Sequence, residues 1–245
     1  MKRSLALWRK KTAQVSTHPP NHRRSSSDPL GHTVMQLATI EAPRTPRVRS
    51  LIHRAFLTAS TLPTLPLILS TTDIRSPKVV QLTTNPVVEA VYWTPSTQEQ
   101  FRILGRASVV PAQTYEGSYP APRGVVYEAL QREGLEWETK RVETFDRMSG
   151  HMKATWCRPV PGTPLEGGEE EMKQWPVRLP KLGEAKDEGD KRQLEAALGN
   201  FALLLIEPFE VDYVEFGVQP ERRRLFERDW KDERSVEFKE TSLVP

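Results

Sequence analysis

The stretch STTDIRSPKVVQLTTNP, residues 70–86, decides how this chain is built. It leaves the apolar run Leu65 to Thr71, which reads as a short strand, and turns into a helix that opens at Ser76-Pro77 and stops at Asn85-Pro86. Ser carries a side-chain oxygen suited to an N-cap. Pro suits the first helical position, where its missing N–H would have had no partner, and a later X-Pro pair pushes the backbone out of the helical region. A helix N-terminus presents unsatisfied N–H groups and a partial positive charge, so it accepts an anion. Here it is surrounded by Arg75 and Lys78 and by the hydroxyls of Thr71, Thr72 and Ser76. Such a set suits a phosphate; taken alone, it equally describes a capped helix with solvated basic neighbours.

Strands flank this stretch on both sides. His32 to Ile40 is rich in β-formers, and Arg47 to Arg54 alternates, with Val48, Ser50 and Ile52 on one face and Arg49, Leu51 and His53 on the other. Val87 to Trp93 and Gln100 to Ser108 form two more, joined by the turn Thr94-Pro95-Ser96. Residues 124–133 predict a second helix, and apolar strands return at Phe201 to Glu207 and Val211 to Phe216. Between them, about 159–192 is charged and contains Gly and Pro; it reads as a surface insertion ordered only around Trp175-Pro176. Six or seven short strands with two or three helices predict a mainly β fold with flanking helices, a small barrel occupying residues 31–245.

The 245 residues carry a net charge of +3, but the charge is unevenly placed. Residues 1–27 hold seven Lys and Arg and no acid, which leaves the other 218 residues with a net of −4. The basic character therefore belongs to residues 1–30, read as a disordered tail or a mitochondrial presequence, and the acidic body argues against nucleic acid as a partner. No apolar run approaches the ~20 residues of a membrane span. One cysteine, Cys157, rules out an internal disulfide. These features predict a cytoplasmic protein, or a mitochondrial one if the tail is a presequence.

Four further groups are candidates for chemistry. Arg49 alternates onto one face of its strand, where it would offer paired donors to a phosphate or simply meet solvent. Gln100 opens a strand and could meet the edge of a heterocycle or face water. Arg222, Arg223 and Arg224 form a cluster suited to an anion or to a solvated loop. His151 and Cys157 are the residue types of a thiol–imidazole pair, but no third orienting group accompanies them. The five histidines lack metal-ligand spacing, so no metal site is expected.

In order along the chain, PRVRSLIHR, then STTDIRSPKVVQLTTNP, then VEAVYW, then EQFRILGRA resemble the pyridoxamine 5′-phosphate oxidase family of FMN-binding split β-barrels. Arg49, Thr72, Ser76, Lys78, Gln81, Asn85-Pro86, Gln100 and Gly105 fall on the family's pattern in sequence. The likeness is close over 33–108 and looser over 199–225.

The resemblance implies an FMN cofactor held at the seam of a homodimer. It implies that Arg49 and Lys78 hold the phosphate with Ser76 and Arg75 nearby, that Leu51, Ile52, Thr71 and Thr72 lie along the flavin, and that Gln100 meets the ring. It also implies a small, phosphate-bearing substrate near Arg54, Arg222 and Arg224. The family's helix-start Arg falls on Pro77, its strand-end Lys on Arg54, and its Arg-x-His pair on Arg222 and Arg224, so the His is replaced. The functions implied are a flavin-dependent oxidoreductase or, as the alternative, a flavin-binding module that stores or senses the cofactor without turnover.

Overall fold

The computed structural model describes residues 33–229 and 236–245; the tail expected at residues 1–30 lies outside them. The described residues form a mainly β fold: nine strands in one antiparallel sheet, with six helices around it. The strands are β1 (Thr33–Glu41), β2 (Thr45–His53), β3 (Ala55–Leu57), β4 (Leu67–Asp73), β5 (Val87–Thr94), β6 (Glu99–Val110), β7 (Phe201–Glu215), β8 (Arg222–Glu227) and β9 (Lys239–Leu243). The helices are α1 (Pro77–Thr84), α2 (Val125–Arg132), α3 (Trp137–Asp146), α4 (Gly150–Ala154), α5 (Gly168–Met172) and α6 (Glu188–Asn200).

The pairing order β2-β1-β5-β6-β7-β4-β3 curls round on itself. Arg54 N donates to Leu69 O and Ser70 Oγ to Ile52 O, so the β2–β3 corner meets β4 and the barrel closes there. Alternation fills its interior. Met35 and Leu37 of β1, Tyr92 of β5, Phe101 and Ile103 of β6, and Leu204 and Ile206 of β7 all point inward and are buried. Helix α1 covers one end by adding Val79 and Leu82 to the same core. Strands β4 and β7 are buried on both sides, because Leu67, Leu69, Leu203 and Leu205 face a second core under the helices. Each such side chain contributes ~1.5–3 kcal/mol on burial, so this shared wall draws stabilisation from both cores.

Several expectations change. Phe201 to Glu215 is one strand rather than two: the pairing with β6 runs through Pro208 by a bulge opposite Leu104/Gly105, which lets Pro omit its hydrogen bond. Gly105 is needed there, since a Cβ would come within 2.8 Å of Glu207 O. The helices α3 and α4 lack a sequence signal because their buried faces are partly charged. Arg141 of α3 is 2% exposed and donates to Leu198 O at 2.6 Å and Phe201 O at 2.9 Å. Lys153 of α4 is 1% exposed and meets Asp146 at 2.7 Å. Residues 159–192 carry α5 and the start of α6, whose N-cap Asp187 accepts from Asp190 N, so order extends beyond Trp175-Pro176.

Inside the barrel, His53 Nδ1 lies 2.9 Å from the Tyr92 hydroxyl, and its ring packs edge-on against Phe56. Burial pushes its pKa down to about 4, opposed only by a backbone hydrogen bond. The unfolded chain therefore binds this proton first, so stability is complete above pH ~6.5 and is lost as pH falls towards 4. Between pH 7.5 and 5, urea unfolding of the native protein should lose about 2 kcal/mol more than His53→Gln does. Equal losses in the two proteins would show that His53 is protonated inside the fold.

Candidate functional site

The turn from β4 into α1 sets the site. Lys78, in the first turn of α1, donates from Nζ to Thr72 Oγ1 at 2.7 Å and to Ser76 Oγ at 3.0 Å. Ser76 has the extended backbone of an N-cap but makes no side-chain capping bond; its hydroxyl donates to Asp73 O at 2.8 Å. Arg49 leaves the inward side of β2 and donates to Thr39 Oγ1 at 2.7 Å, Leu37 O at 3.1 Å and Gln81 Oε1 at 2.9 Å. Thr39 donates to the same Gln81 oxygen at 2.6 Å, so β1, β2 and α1 are tied into one polar cluster.

Neither Arg49 nor Lys78 forms an ion pair with a carboxylate among the described residues; their partners are hydroxyls, a carbonyl and an amide. Burial, then the nearby Arg49 charge, push the Lys78 amine down to about 8, with Asp73 partly opposing. Burial and then Arg47 lower Arg49 as well. Two neighbouring cations removed from water without a counter-charge are unfavourable, and an anion placed between them reverses the balance. The donor set fits a phosphate group, and with it FMN.

Lys78 lies on the wall of a cavity of about 560 Å³. Of the residues expected at the cofactor, Leu51, Ile52, Thr71 and Thr72 line the same cavity, and so does Arg54. Ser76 and Arg49 do not line it: Ser76 accepts from Lys78 Nζ, and Arg49 donates to Gln81 of the same helix as Lys78. Gln100, Arg222 and Arg224 lie elsewhere. Gln100 is on β6, paired with Trp93 and Val214, away from the cavity lining. Arg222 and Arg224 are on β8, where Arg224 pairs with Glu215 at 2.9 Å and Arg223 with Asp212 at 2.7 Å.

Arg75 faces away from the cavity. Its Nη2 meets Asp73 Oδ2 at 2.7 Å and also donates to Arg158 O at 3.1 Å and Trp156 O at 3.4 Å. Trp156 Nε1 donates to Thr72 O at 3.3 Å, and Asn200 Nδ2 donates to Trp156 O at 2.9 Å. Residues 156–158 are thus fastened to the end of β4, beside the cation pair. The rest of the lining comes from Met152, Thr155, Trp156, Arg158, Pro159 to Leu165, Glu171, Met172 and Trp175. Alternation and motif order do not reach these residues; tryptophans in an otherwise polar stretch are the one signal the sequence carries. His151 and Cys157 form no catalytic pair: His151 Nδ1 meets Val177 O at 2.8 Å, Cys157 Sγ meets Gln193 O at 3.1 Å, and burial raises the thiol pKa.

Residues 8–111 match the family model described as pyridoxamine 5′-phosphate oxidase, FMN-binding domain. Over 187 residues, 76% of this chain and 75% of the relative, the sequence is 27% identical to pyridoxine/pyridoxamine 5′-phosphate oxidase 2 of Arabidopsis thaliana. Among solved structures, a pyridoxamine 5′-phosphate oxidase-related, FMN-binding protein of Nostoc punctiforme PCC 73102 superposes with a TM-score of 0.62 at 24% identity, covering 99% of both chains. PhzG from Burkholderia lata 383, solved with tetrahydrophenazine-1-carboxylic acid, does so with a TM-score of 0.56 at 16% identity, over 98% of this chain and 92% of its own. These two likenesses share the fold.

Removing a charged hydrogen-bond partner of a phosphate costs ~1.5–3 kcal/mol. Arg49→Ala should therefore weaken FMN binding at least about tenfold and leave riboflavin binding nearly unchanged, whereas Arg75→Ala should weaken both ligands alike, as read by flavin fluorescence titration. Loss of FMN binding alone in Arg75→Ala would assign that guanidinium to the phosphate. Because burial lowers the Lys78 amine to about 8 and it must be charged to hold the phosphate, FMN affinity should be flat from about pH 7, where the phosphate is already a dianion, to pH 8 and fall above it. Lys78→Arg should extend the flat region, since guanidinium stays protonated. A flat profile for the native protein to pH 10 would remove Lys78 from the phosphate.

Proposed function

We propose that the chain is a member of the pyridoxamine 5′-phosphate oxidase-like family of FMN-binding split barrels, whose FMN-binding domain model its residues 8–111 match, and that it is a homodimeric, FMN-dependent oxidoreductase acting on a small, phosphate-bearing substrate. The observation that carries this reading is the pair of neighbouring cations, Arg49 and Lys78, which have hydroxyl, carbonyl and amide partners but no ion pair with a carboxylate among the described residues. When bound, FMN supplies hydride acceptance and reoxidation. The chain's own residues do the rest. Lys78 takes the phosphate, Arg49 adds charge behind it, and Thr72 and Ser76 fix the direction of the ammonium group. Leu51 and Ile52 offer the flavin an apolar wall. Trp156 and Met152 keep water from that side of the cavity.

The second copy is argued from an exposed face. Ser50 and Ile52, on the outward side of β2, reach the cavity, and Val48 on that same side is 67% exposed. Across the sheet, Val34 and Trp93 are about half exposed, with Trp93 against Phe216 at 6.2 Å between ring centroids. Such a patch favours a partner surface. A second copy seated there would bring its Gln100 towards the cofactor, which accounts for a Gln that lies away from the cavity within one chain.

The binding module without turnover draws support from β8. Arg223 and Arg224 are already matched by Asp212 and Glu215, and an Arg at position 224 stays protonated where the family's His could exchange a proton.

The purified protein should carry FMN and scatter light as a dimer, and Trp93→Arg should give a monomer that releases flavin. A Trp93→Arg monomer with full flavin would separate assembly from the cofactor. Mixed anaerobically with pyridoxamine 5′-phosphate, the holoprotein should bind it modestly and reduce its flavin slowly. Rapid turnover that collapses in Arg222→Ala would make it an efficient oxidase working through β8. No flavin reduction by any phosphorylated vitamer would favour the binding module.

A further inference from the structure

The cavity has two unlike ends. At one, Lys78 and Thr72 are polar and belong to the phosphate cradle. The other end is made by the segment 152–175, which contributes Met152, Trp156, Val160, Leu165, Met172 and Trp175 together with one cation, Arg158, and one carboxylate, Glu171. The Arg158 guanidinium sits over the Trp175 ring at 5.7 Å and has no carboxylate partner among the described residues. This end is held in place by several contacts. Arg75 donates to Trp156 O and Arg158 O, Trp156 Nε1 donates to Thr72 O, and Gly162 (φ +91°) lets the loop turn against Pro77, whose Cγ a Cβ would meet at 3.3 Å. The 158–175 segment is therefore a wall of the flavin cavity, supported from β4 and α1.

We propose that this apolar end is the substrate compartment: it takes a flat ring bearing one anionic group, with the ring among Met152, Met172 and Trp175 and the anion on Arg158. The inference rests on the cofactor reading above, and moves substrate selection from β8 to the 158–175 segment. A planar ring gains contact with methionine and tryptophan side chains, and a planar guanidinium offers two parallel donors to a carboxylate or a phosphate. Stacking on Trp175 keeps the Arg158 charge oriented before the ligand arrives.

The test uses the flavin-loaded protein and three probes: 1-naphthoate, 1-naphthyl phosphate and the uncharged naphthalene-1-carboxamide. Binding is read from the perturbation of flavin absorbance and from tryptophan quenching. Arg158→Gln should weaken naphthoate or naphthyl phosphate about tenfold and leave the carboxamide unchanged. The tighter of the two anions names the group. Arg158→Lys should recover part of the loss, and Trp175→Leu should weaken all three probes, each measured per bound FMN so that loss of cofactor is told apart from loss of the probe. Anion affinity that is insensitive to Arg158→Gln but lost in Arg222→Ala would overturn the proposal, as would equal effects on the anions and the carboxamide. If the native protein carries no flavin, the cofactor reading fails on its own, and tryptophan quenching still decides the compartment.

Discussion

Two cations brought together without a carboxylate between them set the terms for the rest of this structure. Charged groups leave water at a cost of several kcal/mol each unless something balances them. The barrel nevertheless holds Arg49 and Lys78 near each other, with Thr39, Thr72, Ser76 and Gln81 as their partners. Those partners come from β1, β4 and α1, so three separate elements must be in register before the cluster exists. The fold maintains this arrangement from the stability of the wall formed by β4 and β7, buried on both faces.

Asp73 shows how the remaining charge is partitioned. It lies in the same turn as Lys78, and a carboxylate there could have neutralised the lysine. Its oxygens instead take Nε and Nη2 of Arg75 at 3.0 and 2.7 Å, and that guanidinium goes on to hold the carbonyls of Trp156 and Arg158. One carboxylate is thereby withdrawn from the phosphate cradle and made part of the support for the opposite wall. Thr72 joins the two functions: its hydroxyl accepts from Lys78, and its carbonyl accepts from Trp156. Lys78 and the 156–158 segment are thus connected through a single residue.

The outward face of β2 links the site to assembly. Strand alternation sends Arg49 and Leu51 inward, and leaves Val48, Ser50 and Ile52 outward. Ser50 and Ile52 reach the cavity from that outward side, so whatever covers Val48 also approaches the cavity. This is the geometric ground on which the proposed second copy and the proposed flavin site are linked.

The sequence by itself determined the barrel strands β1, β2, β4, β5 and β6, the helix α1 and the residues at its start. Their alternation, Ser76-Pro77 and Asn85-Pro86 are local signals, and they lie close together in order. Lys78 and Thr72 were legible for the same reason: six residues apart, they meet across one turn. Only the tertiary structure decided the fate of Arg75, because Asp73 and the carbonyls of 156 and 158 compete for it and two of those three are some eighty residues away. The same holds for α3 and α4, whose buried Arg141 and Lys153 erase the apolar period that would announce a helix. The cavity's second wall was equally hidden. Residues 158–175 are polar and rich in Pro and Gly in isolation, and they acquire a role only when Arg75 and Thr72 hold their first residues against the barrel.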